Sequence, residues 1–172
     1  ASAFSEEVLK ADSKAFNRVI GHIKEKDEHI GTVLMVQVEN EIGMLESARD
    51  HSDIANKKFK EQVPQELITY LCNNKEQLHP VMLKRWEEAG AKKRGTWSEI
   101  FGEDIQTDEI FMAYYYAKYV EQMTKGGKSI YNIPMFVNAA MNSRNRKPGE
   151  YPSAGPLAHL IDIWHCAVPS IE

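Results

Sequence analysis

Two carboxylates and an amide stand side by side at Glu39, Asn40 and Glu41, directly after the apolar run Val33-Leu34-Met35-Val36-Gln37-Val38 and just before Gly43. An ionised carboxylate buried without partners is very costly. Acids at the end of an apolar strand therefore either emerge into water or do chemistry there. The chemistry open to them is proton transfer and recognition of hydroxyl groups, since a carboxyl gives or takes a proton and an amide both donates and accepts. Strict alternation puts Gln37, Glu39 and Glu41 on one side of the strand and Val38 and Asn40 on the other. Strand ends often twist or bulge, so parity alone does not exclude Asn40 from the site. Asn138 holds a comparable place, closing a second apolar run, Ile133-Pro134-Met135-Phe136-Val137.

Other chemistry is thin. Cys72 and Cys166 have neither metal-ligand spacing nor a disulfide framework and read as reduced, buried thiols. His22 and His29 read as surface or satisfied histidines, Lys92-Lys93-Arg94 as a solvated turn, and Tyr114-Tyr115-Tyr116 as core plus surface. Arg144, Arg146 and Tyr151 follow the second apolar run, where ordinary solvated loop roles are expected. A net charge of −4 argues against nucleic acid or an anionic membrane as partner. No apolar run approaches the roughly 18 residues of a membrane span.

The elements that must position these groups follow from periodicity and caps. With 172 residues, 42% apolar and 27% charged, the chain has the size and composition of one soluble domain. Ser5 caps a helix over residues 5–28, with Glu6 and Glu7 in its first turn and Val8, Ala15, Phe16, Val19, Ile20 and Ile23 on its apolar face. The run 33–38 predicts a strand buried on both faces, as in a parallel sheet flanked by helices. Residues 43–63 read as a polar loop. Pro64 opens a helix to residue 73 and Pro80 another to 89, while Thr96 and Glu99 form a capping box. Thr107 caps a long helix over 108–125 that Gly126-Gly127 ends. A second strand spans 131–138, a second polar loop 142–155, and Pro156 opens a helix to 167. Residues 169–172 look like the approach to a third strand. Both long loops follow strands, an asymmetry expected where one end of a parallel sheet carries the function. The predicted fold class is α/β.

At Val36-Gln37-Val38-Glu39-Asn40-Glu41-Ile42-Gly43 the sequence closely resembles the β-galactosidase-type glycoside hydrolases of family 35 and their bacterial relatives. Residues 43–50, 63–67, 131–139 and 148–152 are similar to a bacterial subgroup, so the likeness spans nearly the whole chain. Ile42 stands where many members carry tyrosine, which removes any aromatic contact from that position. The resemblance implies a partial (β/α)8 (TIM) barrel, about strands four to six with their helices. Residues 1–172 would be a single internal segment of a catalytic domain that needs about 250 residues. It implies retaining hydrolysis of a β-galactoside or related glycan, with Glu41 as general acid/base, Asn40 as a sugar-binding residue, Glu39 as a supporting group and Asn138 as a further sugar contact. It implies no metal and no other cofactor. The family's nucleophile would lie beyond Glu172, leaving the isolated chain inactive, and the parent would be an exported bacterial enzyme. Exposed barrel edges would drive homo-oligomers. The alternative is a small α/β carbohydrate-binding or protein-interaction module without catalysis.

Overall fold

The computed structural model describes residues 2–142 and 145–172. Ser5 accepts a hydrogen bond from the Val8 amide and starts α1 (Glu6–Asp27), which leads into β1 (Val36–Gln37). Four helices follow: α2 (Asp53–Phe59), α3 (Gln65–Asn73), α4 (Pro80–Glu88) and α5 (Trp97–Phe101). Then come α6 (Ile105–Ile130), β2 (Met135–Phe136) and α7 (Ile161–Ala167), the last entered through a single tight turn at Ala158–Leu160.

The fold is not a partial (β/α)8 barrel. Helix accounts for 54% of the described residues, and their one sheet has two parallel strands, with Val36 opposite Met135 and Gln37 opposite Phe136. Residues 169–172 add no strand. The Glu172 amide and carboxylate bracket Met135, donating to its carbonyl at 3.0 Å and accepting from its amide at 2.8 Å. The run 33–38 is not buried on both faces either. Leu34 is 75% exposed and Met35 54%, while Val38 is buried. Hydrophobicity fits a run for burial, but burial needs a second surface, and here the helices turn their apolar faces towards α6 instead.

α6 is the axis of the core. Trp97, Phe111, Tyr114 and Tyr115 pack ring against ring around its first half, with Phe4 and Phe59 closing on Phe111. Asp12 meets Tyr119, Asn17 lies against Gly126, and Gly21 faces Ile130. The partners advance together, so α1 and α6 run parallel, as do the strands that follow them. The predicted helix end at Gly126-Gly127 fails for the same reason. A Cβ on Gly127 would stand 2.7 Å from Phe16 Cε1 and 2.8 Å from Met135 Cε. The glycine serves a close crossing within the helix rather than a cap.

The start of α6 also differs from expectation. Asp104 is the cap, accepting from the Gln106 and Thr107 amides, and Thr107 donates its hydroxyl to the Gly102 carbonyl at 2.7 Å. The capping box at Thr96 and Glu99 is present. Within the predicted 43–63 loop lies α2, capped by Ser52.

Among the described residues, four buried carboxylates fasten the connections. Asp27 accepts from the Thr32 and Val33 amides and so aims the chain into β1. Asp162 accepts from His79 ahead of α4, Glu121 from the Ser170 amide and hydroxyl, and Glu109 from the loop before α7. Each is compensated by hydrogen bonds, the condition under which a buried acid is tolerated.

Candidate functional site

β1 and β2 end side by side, and the residues after β1 form one wall of an open cleft of about 340 Å³. Glu39, Asn40 and Glu41 line it, facing Asp12 from α1 and Tyr116 and Tyr119 from α6. The strand stops at Gln37, so its alternation lapses before it could turn Asn40 away.

Asn138, at the end of the neighbouring strand, ties the motif together. Its Oδ1 accepts from the Glu41 amide at 2.8 Å and from Gln37 Nε2 at 3.2 Å, while its Nδ2 donates to Asn40 Oδ1 at 3.3 Å. Gln37 Nε2 also donates to Asn40 Oδ1 at 3.0 Å. Both ends of the Asn138 amide are thus engaged within the motif. The four predicted site residues, Glu39, Asn40, Glu41 and Asn138, stand together.

Glu41 occupies the left-handed backbone region, with φ of 52°. A residue with a side chain adopts that conformation at a cost of order 1–3 kcal/mol, and such strain gathers at functional positions. Here two contacts impose it. Asn138 takes the amide, and Ile42 to Met44 are clamped onto the loop that precedes α7. Met44 and Ser153 exchange both backbone hydrogen bonds at 2.9 Å. A Cβ on Gly43 would stand 2.6 Å from the Pro152 carbonyl carbon, and one on Gly155 2.6 Å from the Ile42 carbonyl oxygen. Glycine closes the motif because backbone passes backbone there.

Arg49 fixes the next stretch. Its guanidinium binds Asp108 at the start of α6 at 2.8 Å, Asn56 on α2 at 2.8 Å, and covers the Phe59 ring.

The carboxyls differ in surroundings. Glu39 is half-buried; burial first, and the Asp12 charge second, raise its carboxyl above the ordinary carboxylate range. Glu41 is exposed. Among the described residues neither makes an ion pair. Tyr119 donates to Asp12, and burial followed by that bond pushes its phenol up. Burial pushes the Tyr116 phenol up to about 12, with Asp50 adding to it.

Asp12 and Tyr119 are cleft residues that the sequence reading passed over. The signal for Asp12 was its register: it falls four residues after Val8 and four before Phe16, an acid set in the apolar stripe of α1. Tyr151 points inward to Glu109 rather than to the cleft, and Arg146 donates to the Glu150 carbonyl of its own loop. Arg144 lies outside the described residues. A larger groove of about 750 Å³ on another face of α1 is lined by Lys10, Lys14 and Arg18 together with Glu6, Asn17 and Gln122, and holds none of the four predicted site residues. Among the described residues no group of histidine, cysteine and acidic side chains is placed to hold a metal ion.

Comparison with known proteins finds neither a family model nor a curated protein that matches the chain.

Proposed function

We propose that the cleft binds a β-galactoside or related glycan and that Glu41 is the proton-donating half of a retaining glycosidase pair. The observation that supports this most is the strained, doubly clamped backbone of Glu41 at the rim of a cleft it shares with Glu39 and Asn40. In a retaining reaction the acid gives its proton to the glycosidic oxygen as the bond to the anomeric carbon breaks. A second carboxylate, about 5 Å away, forms the covalent glycosyl-enzyme, and the first then takes a proton from the attacking water. On the motif's likeness, that second carboxylate would lie after Glu172 and face Glu41 across the site. Asn40 would bind a sugar hydroxyl. Glu39, half-buried beside Asp12, would support the site from its floor.

The test is Glu41→Gln in a longer form of the protein that carries the second carboxylate. Turnover of aryl galactosides with poor leaving groups should fall by about 10²-fold or more, and that of activated ones by less, because only the former need the acid. Near-normal turnover on poor leaving groups sinks the assignment, and galactosidase activity from residues 1–172 alone overturns the division of the pair.

The openness of the cleft and the exposure of Glu41 favour one other reading, a carbohydrate-binding module. On that reading galactoside binding survives Glu41→Gln, and no longer form of the protein hydrolyses glycosides.

A further inference from the structure

Glu109 is an acid sealed in the core, 1% exposed, with no part in the cleft. Its Oε1 accepts from the Tyr151 hydroxyl at 2.9 Å and from the Ala154 amide at 3.1 Å, and its Oε2 meets His159 Nε2 at 2.9 Å. All three partners belong to the stretch before α7. Ala154 is in the left-handed region, with φ of 70°, a conformation that persists only where the surroundings impose it. Here the Glu109 bond to its amide and the Trp164 indole bond to its carbonyl do so.

The segment so held, residues 152–155, is the seat on which Ile42, Gly43 and Met44 are clamped. Glu41 immediately precedes them. A path of direct contacts therefore runs from the Glu109 carboxylate through Ala154 and Ser153 to Met44 and Gly43, and so to the backbone of Glu41.

We propose that Glu109 is a positioning residue for Glu41: by fixing the 151–155 seat from within the core, it sets where the Glu41 carboxyl stands at the cleft. This rests on Glu41 being the acting group of the site. A carboxylate suits the task because it accepts from several donors at once without offering a donor of its own.

The experiment uses the whole chain, labelled with nitrogen-15, carrying Glu109→Ala or Glu109→Gln. Glutamine keeps an oxygen for Tyr151 and Ala154 and can donate to His159 in its Nδ1-protonated form. Glu109→Ala should move the amide resonances of Glu41 and Gly43 beyond their line widths while those of Leu71 and Met82, in α3 and α4, stay; Glu109→Gln should restore them. Affinity for isopropyl 1-thio-β-galactoside, which is not hydrolysed, should fall about tenfold in the alanine variant and recover in the glutamine variant, the scale expected when a site loses its supporting contacts. A folded Glu109→Ala chain with unmoved Glu41 and Gly43 amides overturns the proposal. If Glu109→Ala does not fold, Tyr151→Phe removes one donor to the same oxygen and is read on the same two amides, where no movement overturns it equally. If the wild-type chain binds no galactoside, the carbohydrate reading fails, and the amide shifts still decide what Glu109 does.

Discussion

Glu39 and Glu41 are two positions apart and experience different surroundings, one half-buried beside Asp12 and the other in water. The difference sets a pH dependence whose sign follows from linkage. Glu39 binds its proton more tightly in the folded chain than in the unfolded one. The stability it contributes is complete below the ordinary value of 4.5 and is lost as pH rises through the raised one. Glu39→Gln, which cannot ionise, should therefore gain in melting temperature relative to wild type as pH is raised from about 4 to 7. Parallel thermal scans that keep a constant gap would show that burial does not govern this carboxyl. Asp27 has the opposite sign. The Thr32 hydroxyl, then the Val33 amide, hold it below its ordinary 3.8, so its contribution is present above that value and fades as pH falls through the lowered one. At this scale the motif was legible because its members are contiguous. Tyr119 was not, because its contact with Asp12 joins positions 107 apart; of the two, only Asp12 leaves a local trace, its place in the apolar stripe of α1.

Helix boundaries were legible at Ser5 and at Thr96 with Glu99, whose side chains cap their own elements, but not at α6, where Asp104 rather than Thr107 is the cap. They were misread where a residue type serves a distant partner. Gly126-Gly127 has the composition of a helix stop, yet it lies within α6, where α1 and β2 crowd against it. The seven residues of α2 fell inside an expected loop because so short a helix shows little periodicity, although Ser52 was there to cap it. The clamp between residues 42–44 and 152–155 is the element-scale feature with the sharpest consequence. Gly43→Ala would drive a Cβ into the Pro152 backbone, and backbone cannot swing aside as the end of a side chain can. We expect a loss of about 1–3 kcal/mol in urea unfolding, the usual cost of overpacking. Gly155→Ala should act alike, and the pair should cost less than the sum of the singles, since both strain one contact. Additive losses would mean that the two loops yield independently.

At the scale of the molecule, the almost continuously apolar run 33–38 predicts a strand covered on both sides, and the structure leaves it partly bare. A sequence reports how hydrophobic a segment is, and not whether the chain supplies a second surface for it. Leu34 and Met35 are instead exposed beside the open edge of β1, with Ile30 70% exposed nearby. Unpaired strand edges with apolar side chains are aggregation sites. Replacing Leu34 and Met35 together by lysine should raise the concentration at which light scattering sets in and leave the melting temperature within about 1 °C, as for other exposed positions. A large drop in melting temperature instead would show that the two side chains are packed. The parallel pairing of α1 with α6 has a further consequence, during synthesis. Asp12 cannot meet Tyr119 until 107 more residues have been made. At about 5–20 residues per second, the apolar face of the first helix waits roughly 5–20 seconds for its partner. During that interval the nascent chain is a ready client for any chaperone stationed at the ribosome exit.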